Sequence, residues 1–132
     1  MKAYWDTSAF LQAALTGLDI KGVTRTHTLA ESFSNLTGRG VTLQDGSKVA
    51  LSADDAADLL EQAAADLDFL ELTPHNVLQS MAAAQKKGVR GGGVYDFLHA
   101  VAAEKSGADV LYTLNAEDFK GLSKVPLEEL PA

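Results

Sequence analysis

Apolar and polar positions follow two alternating rhythms along this chain. Compact apolar runs at 2–6 (KAYWD), 23–27 (VTRTH), 69–73 (FLELT) and 109–113 (DVLYT) predict short strands rich in aromatic and β-branched residues. Between them, apolar residues recur at three- and four-residue spacing, which predicts helices with one buried face. The first helix is expected from Ser8 as N-cap, through Phe10, Leu11, Ala14 and Leu15, to a stop near Gly17. A second spans 28–37, with Thr28 as cap and Glu31 at the capping-box distance, and ends at Gly38. A third runs from Ser52 to about Leu67, with Asp54 and Asp55 in the first turn where the helix dipole favours them. Thr73-Pro74 opens a fourth helix reaching Lys87, and a fifth spans 94–106 and is closed by Gly107. The stretch 41–51 (VTLQDGSKVAL) carries the tight-turn dipeptide Asp45-Gly46 between β-rich arms and predicts a hairpin. The tail 124–130 supplies an edge strand, the one place in a sheet where Pro126 is tolerated.

Strands alternating with helices predict an α/β fold: a single-domain α/β/α sandwich over residues 1–132, around a mostly parallel sheet of four to five strands. In such sheets sites form beyond the carboxyl ends of the strands. Asp6 ends the first strand, and Asn115 and Asp118 follow the fourth, so distant polar residues fall on one sheet edge.

Composition narrows the chemistry. The absence of cysteine removes disulfides, zinc-thiolate sites and thiol nucleophiles together. A formal charge of -7 argues against indiscriminate coating of nucleic acid, which needs a basic surface. It leaves room for a nuclease, because carboxylates gathered around divalent cations face a neutralised site. No apolar run reaches the length of a membrane span, and the N-terminal MKAYWDTSAF lacks the pattern of a signal peptide, so a cytoplasmic protein without membrane attachment is expected.

The sharpest anomaly is Asp96, a carboxylate between Tyr95 and Phe97 at the head of a core-facing helix. Buried charge is costly unless paired or metal-bound. Asp6, Glu31 and Asp118, with Asn115 beside the last, are the other acidic or amide positions in apolar or element-terminal contexts. Converging, they would suit one or two Mg2+ or Mn2+ ions, which take oxygen ligands and keep several waters. Each also has an ordinary reading: Asp6 and Asp118 as helix or loop caps, Glu31 as a capping-box residue.

The chain resembles the PIN-domain family, and most closely the VapC-type toxins of bacterial toxin–antitoxin pairs. The matching pieces are 4-YWDTSAF-10, 26-THTLAESFSNLTG-38, 95-YDFLHAVAAEKSGAD-109 and 111-LYTLNAEDF-119, in that order over nearly the whole chain. The resemblance implies a Mg2+- or Mn2+-dependent endoribonuclease whose core acidic residues are Asp6, Glu31 and Asp96. The fourth position is Asp118 or Asn115, with Asp118 favoured as the acidic member and Asn115 as a supporting ligand; Ser8 and Thr113 match positions that support the site. It further implies a small antitoxin that wraps the toxin and places a basic residue in the acidic pocket, and a homodimer, for which Leu59, Leu60 and Leu67 offer either a dimer face or core.

For gripping RNA, Arg25 before the glutamate helix and Arg90 in the loop 88-GVRGGG-93 are the expected phosphate contacts. Lys86 and Lys87 read as helix C-terminal cations. Tyr4 and Trp5 are stacking candidates or, more simply, core. His27 and His99 are not spaced as a ligand pair, though His99 shares the helix face of Asp96; His75 falls in a helix first turn at the surface. The glycine-rich loop lacks the Gly-Lys-Ser/Thr ending of a phosphate-binding loop. Two other functions compete: a catalytically silent PIN-type binding module, and an aspartyl-phosphate enzyme. The latter would need Asp-x-Asp where this chain has Asp6-Thr7-Ser8.

Overall fold

The computed structural model describes residues 1–130. Five strands, β1 (Ala3–Trp5), β2 (Gly22–Arg25), β5 (Leu67–Leu70), β6 (Val110–Thr113) and β7 (Leu127–Glu129), form one sheet in the order β5-β2-β1-β6-β7. Every pairing in it is parallel. The predicted hairpin is present as a separate two-stranded antiparallel piece, β3 (Val41–Thr42) and β4 (Lys48–Val49), turned at Asp45-Gly46. Its turn is closed by Asp45 accepting from the backbone N–H and hydroxyl of Ser47.

The helices are α1 (Thr7–Thr16), α2 (Thr26–Thr37), α3 (Ala53–Ala63), α4 (Pro74–Ala83) and α5 (Gly93–Lys105). Because side chains alternate across a strand, the neighbours Tyr4 and Trp5 serve opposite faces. Trp5 joins Phe10, Leu11, Leu36 and Leu60 in the core under α1–α3, while Tyr4 joins Val23, Leu111 and the alanines of α5. Both rings are buried, so the core reading of Tyr4 and Trp5 holds and neither offers a stacking surface for bases. Leu60 and Leu67 are core residues and Leu59 packs against them, so these leucines are spent on the core and not on a dimer face.

Several boundaries differ from expectation for local reasons. Asp6, not Ser8, caps α1, accepting from the Ala9 N–H, and the helix ends at Gly17 in the left-handed conformation. Helix α2 starts at Thr26, two residues early, with no side-chain cap. Thr28 is a buried internal residue whose hydroxyl meets that of Thr24 at 2.8 Å, and Glu31 is no capping-box residue. Helix α3 stops at Ala63, and β5 begins at Leu67 where the helix was expected to continue. Helix α4 ends at Ala83, with a 3-10 turn over Gln85–Lys87 before Gly88. The tail strand forms as predicted: β7 pairs with β6 alone, with Pro126 just outside it.

Candidate active site

From central β1 the chain moves outward through β2 to β5, then crosses to β6 and β7 on the other side. The strand order therefore reverses between β1 and β6, the place where an open parallel sheet leaves a crevice beyond its carboxyl ends. Asp6 follows β1 directly, and Asp118 lies in a 3-10 turn, Ala116–Phe119, shortly after β6. Glu31 comes from α2, which follows β2, and Asp96 from the first turn of α5.

Asp6 is 3% exposed. Its Oδ1 accepts from the Ala9 N–H and from the Ser8 hydroxyl, both at 2.8 Å. Ser8 in turn accepts the Leu114 N–H at 3.0 Å, which ties the start of α1 to the end of β6. Burial raises the pKa of Asp6, and the Ala9 N–H, the Thr113 hydroxyl, His99 and Ser8 moderate the rise. Asp96 is half-buried, and its pKa is raised to about 6 by desolvation first, then by the charges of Asp6, Asp118 and Glu31, with His99 opposing. Asp96 thus feels three carboxylates brought to it from other parts of the chain.

Glu31 differs. Burial opposes its charge, but the close approach of His99, the charge that His99 and His27 carry when protonated, and Thr7 together hold its carboxyl below the usual range. His99 Nε2 lies 3.5 Å and His27 Nε2 3.7 Å from Glu31 Oε1. These are ion-pair distances without hydrogen-bond alignment, so Oε1 is buried with no hydrogen-bond partner. His99 is itself buried and held at both nitrogens, Nδ1 by the Tyr4 hydroxyl at 2.8 Å and Nε2 by the Thr7 hydroxyl at 3.2 Å. Burial raises the Tyr4 pKa and keeps the phenol protonated.

The sequence-predicted residues divide clearly. Asp6, Glu31 and Asp118 come within electrostatic reach of Asp96, and Ser8 and Thr113 stand beside Asp6 as expected. Asn115 holds its backbone N–H on the Thr113 hydroxyl and lines an adjacent cleft with Ser8, Gln12, Asn35 and Arg39. Arg25, the last residue of β2, has a buried Nη1 without a hydrogen-bond partner, and its charge is felt at Tyr4. Arg90 is exposed in the loop before α5, and among the described residues no side-chain contact joins it to the carboxylates. Lys86 and Lys87 are exposed, Lys87 reaching the Gly121 carbonyl at 3.5 Å. His75 is exposed in the first turn of α4. His27 and His99, unremarkable as a pair in sequence, flank the same oxygen. Thr7 went unread, because nothing in the order of residues shows that its hydroxyl meets a histidine 92 positions on.

A divalent cation fits the donor chemistry of this edge. The carboxylates offer only oxygens, three of them disfavour the charge of Asp96, and Glu31 Oε1 is buried without a hydrogen-bond partner. Among the described residues no three of these acids and histidines are spaced to grip one ion directly. Mg2+ keeps several waters and takes only one or two carboxylates directly, so such an ion would meet this edge partly through its own waters.

Comparison with known proteins agrees with the fold. The family model for the PIN domain matches residues 3–125. Among solved structures, a chain of VapBC2 from Rickettsia felis, bound to a DNA fragment from their promoter, superposes with a TM-score of 0.71 at 16% identity, covering 99% of this chain and 100% of that one. A chain of VapBC-1 from nontypeable Haemophilus influenzae gives a TM-score of 0.64 at 16% identity, with 98% of each chain covered. No curated protein matches the chain in sequence.

Proposed function

Since this chain belongs to the PIN domain family, we propose that it is a metal-dependent endoribonuclease acting as the toxin of a toxin–antitoxin pair. The observation that carries the reading is the perturbation of Asp96 near the switch point of the sheet, raised to about 6 by burial and then by the charges of Asp6, Asp118 and Glu31. A carboxylate cluster with this much uncompensated charge is a functional site before it is a structural one.

In this reading a bound Mg2+ or Mn2+ supplies an activated water and balances charge on the scissile phosphate. The remaining work falls to the chain. Asp6, fixed by the Ala9 N–H and Ser8, presents its free oxygen in one orientation. The Tyr4–His99–Thr7 network keeps Glu31 ionised and aimed inward. Asp96, half-buried and within reach of the other carboxylates, is the residue we assign to take the water's proton. Water attack leaves 5′-phosphate and 3′-hydroxyl ends. The VapBC assemblies that share the fold support a small antitoxin partner, whose basic side chain would be drawn to the same acidic edge.

The test is cleavage of a defined RNA pool by purified, partner-free protein with Mg2+, with Mn2+ and with chelator. Asp96→Asn should lower the rate by at least about a hundredfold, as expected for loss of a positioned acid–base group. Cleavage that survives both chelator and substitution would overturn the mechanism. A folded protein that cleaves nothing would favour a silent binding module.

A further inference from the structure

Tyr95 immediately precedes Asp96, yet half its surface is exposed, whereas Phe97 and Leu98 are buried. Its ring lies 12° from parallel to that of His27, centroids 6.1 Å apart, in the offset-stacked range. The His27 side chain is 45% exposed. The two rings line a cleft of about 260 Å³ together with Ala30, Glu31, Ser34 and Asn35. Ser34 is exposed and Asn35 half-exposed, and among the described residues neither side chain makes a hydrogen bond. The cleft thus joins a flat aromatic surface, a free amide and a free hydroxyl to one of the acidic residues.

We propose that the His27–Tyr95 pair is a stacking platform for an unpaired nucleobase of the RNA, next to the phosphate that is cut. The proposal rests on the ribonuclease reading and adds a specificity element to it. Aromatic faces accept any base, while a single amide and hydroxyl can read one base edge, which is how single-stranded RNA is recognised. A base in a duplex could not lie on this surface, so the substrate is a loop or an unpaired segment. An aromatic pair serving only the core would be covered, and this one is not.

The test is kcat/KM on short RNAs with Mn2+, comparing wild type, Tyr95→Ala and Tyr95→Phe, on intact RNA and on RNA made abasic at single positions flanking the cut. Tyr95→Ala should lose about tenfold, the cost of one base stack, and Tyr95→Phe should retain activity. One abasic position should reproduce the tenfold loss in wild type, and combining it with Tyr95→Ala should add nothing. Thermal melts and Mn2+ titration of Tyr95→Ala should match wild type, which excludes misfolding or damage to the acidic edge. Additive losses, or wild-type cleavage by Tyr95→Ala, would overturn the platform while leaving the nuclease reading intact. Tyr95→Ala that cleaves normally but no longer binds a protein partner would assign the rings to that partner and overturn it equally. Wild-type protein that cleaves no RNA would remove the reading itself, before any variant is compared.

Discussion

Asp96 carries opposed demands at a single residue: burial first, and then the charges of Asp6, Asp118 and Glu31, make its charge unfavourable to the fold, while the proposed chemistry needs that same charged carboxyl as a base. A carboxyl whose pKa moves from 3.8 unfolded to about 6 folded stabilises the protein below the unfolded value. That contribution is lost as pH rises through about 6. Asp96→Asn, neutral at every pH, should therefore stabilise metal-free protein at neutral pH. The gain should be about 1–2 kcal/mol after allowance for solvent screening of a half-buried group, and it should vanish at about pH 3. Thermal melts in chelator at the two pH values check this; equal effects at both would contradict the electrostatic coupling. Sequence made Asp96 conspicuous through its apolar neighbours. It could not show that Glu31 is held ionised, because that depends on Tyr4, Thr7 and His99, which meet only in three dimensions.

At the scale of elements, α1 and the acidic edge share one residue. Asp6 is the N-cap of α1, as its ordinary reading has it, and its charge also acts on Asp96, so a substitution there touches the helix and the proposed site together. Asp6→Ser should keep the cap while removing the charge, whereas Asp6→Ala removes both. The serine variant should be the more stable by about 1 kcal/mol, while Mn2+ raises the melting temperature of neither. Equal stability of the two would mean that the cap contributes little. The elements themselves were legible wherever a glycine, proline or tight-turn pair punctuates them, as at Gly17, Gly38, Asp45-Gly46 and Thr73-Pro74. They were not where punctuation is missing: α3 closes at Ala64 in ordinary helical conformation, so its boundary with β5 carries no local mark. Helix α2 likewise starts at Thr26 without a side-chain cap, and Thr28-x-x-Glu31 imitated a start that the chain does not use.

Over the whole molecule, a chain of net charge -7 brings four carboxylates from distant segments to the place where the strand order of its parallel sheet reverses. The alternation of strands and helices foretold that edge, and the ends of β1 and β6 placed Asp6 and Asp118 on it. The aromatic cleft beside Glu31 was beyond reach, since His27 and Tyr95 belong to helices distant in sequence. Such an edge is stable at neutral pH only at a cost that a divalent cation would offset. The most direct test is calorimetric titration of Mn2+ into chelator-treated, partner-free protein beside Asp96→Asn. Saturable binding by the wild type, weakened at least about tenfold in the variant as expected for loss of a site carboxylate, is the predicted result. No binding by folded wild-type protein, or equal binding by both, would contradict a metal centre built from these four carboxylates.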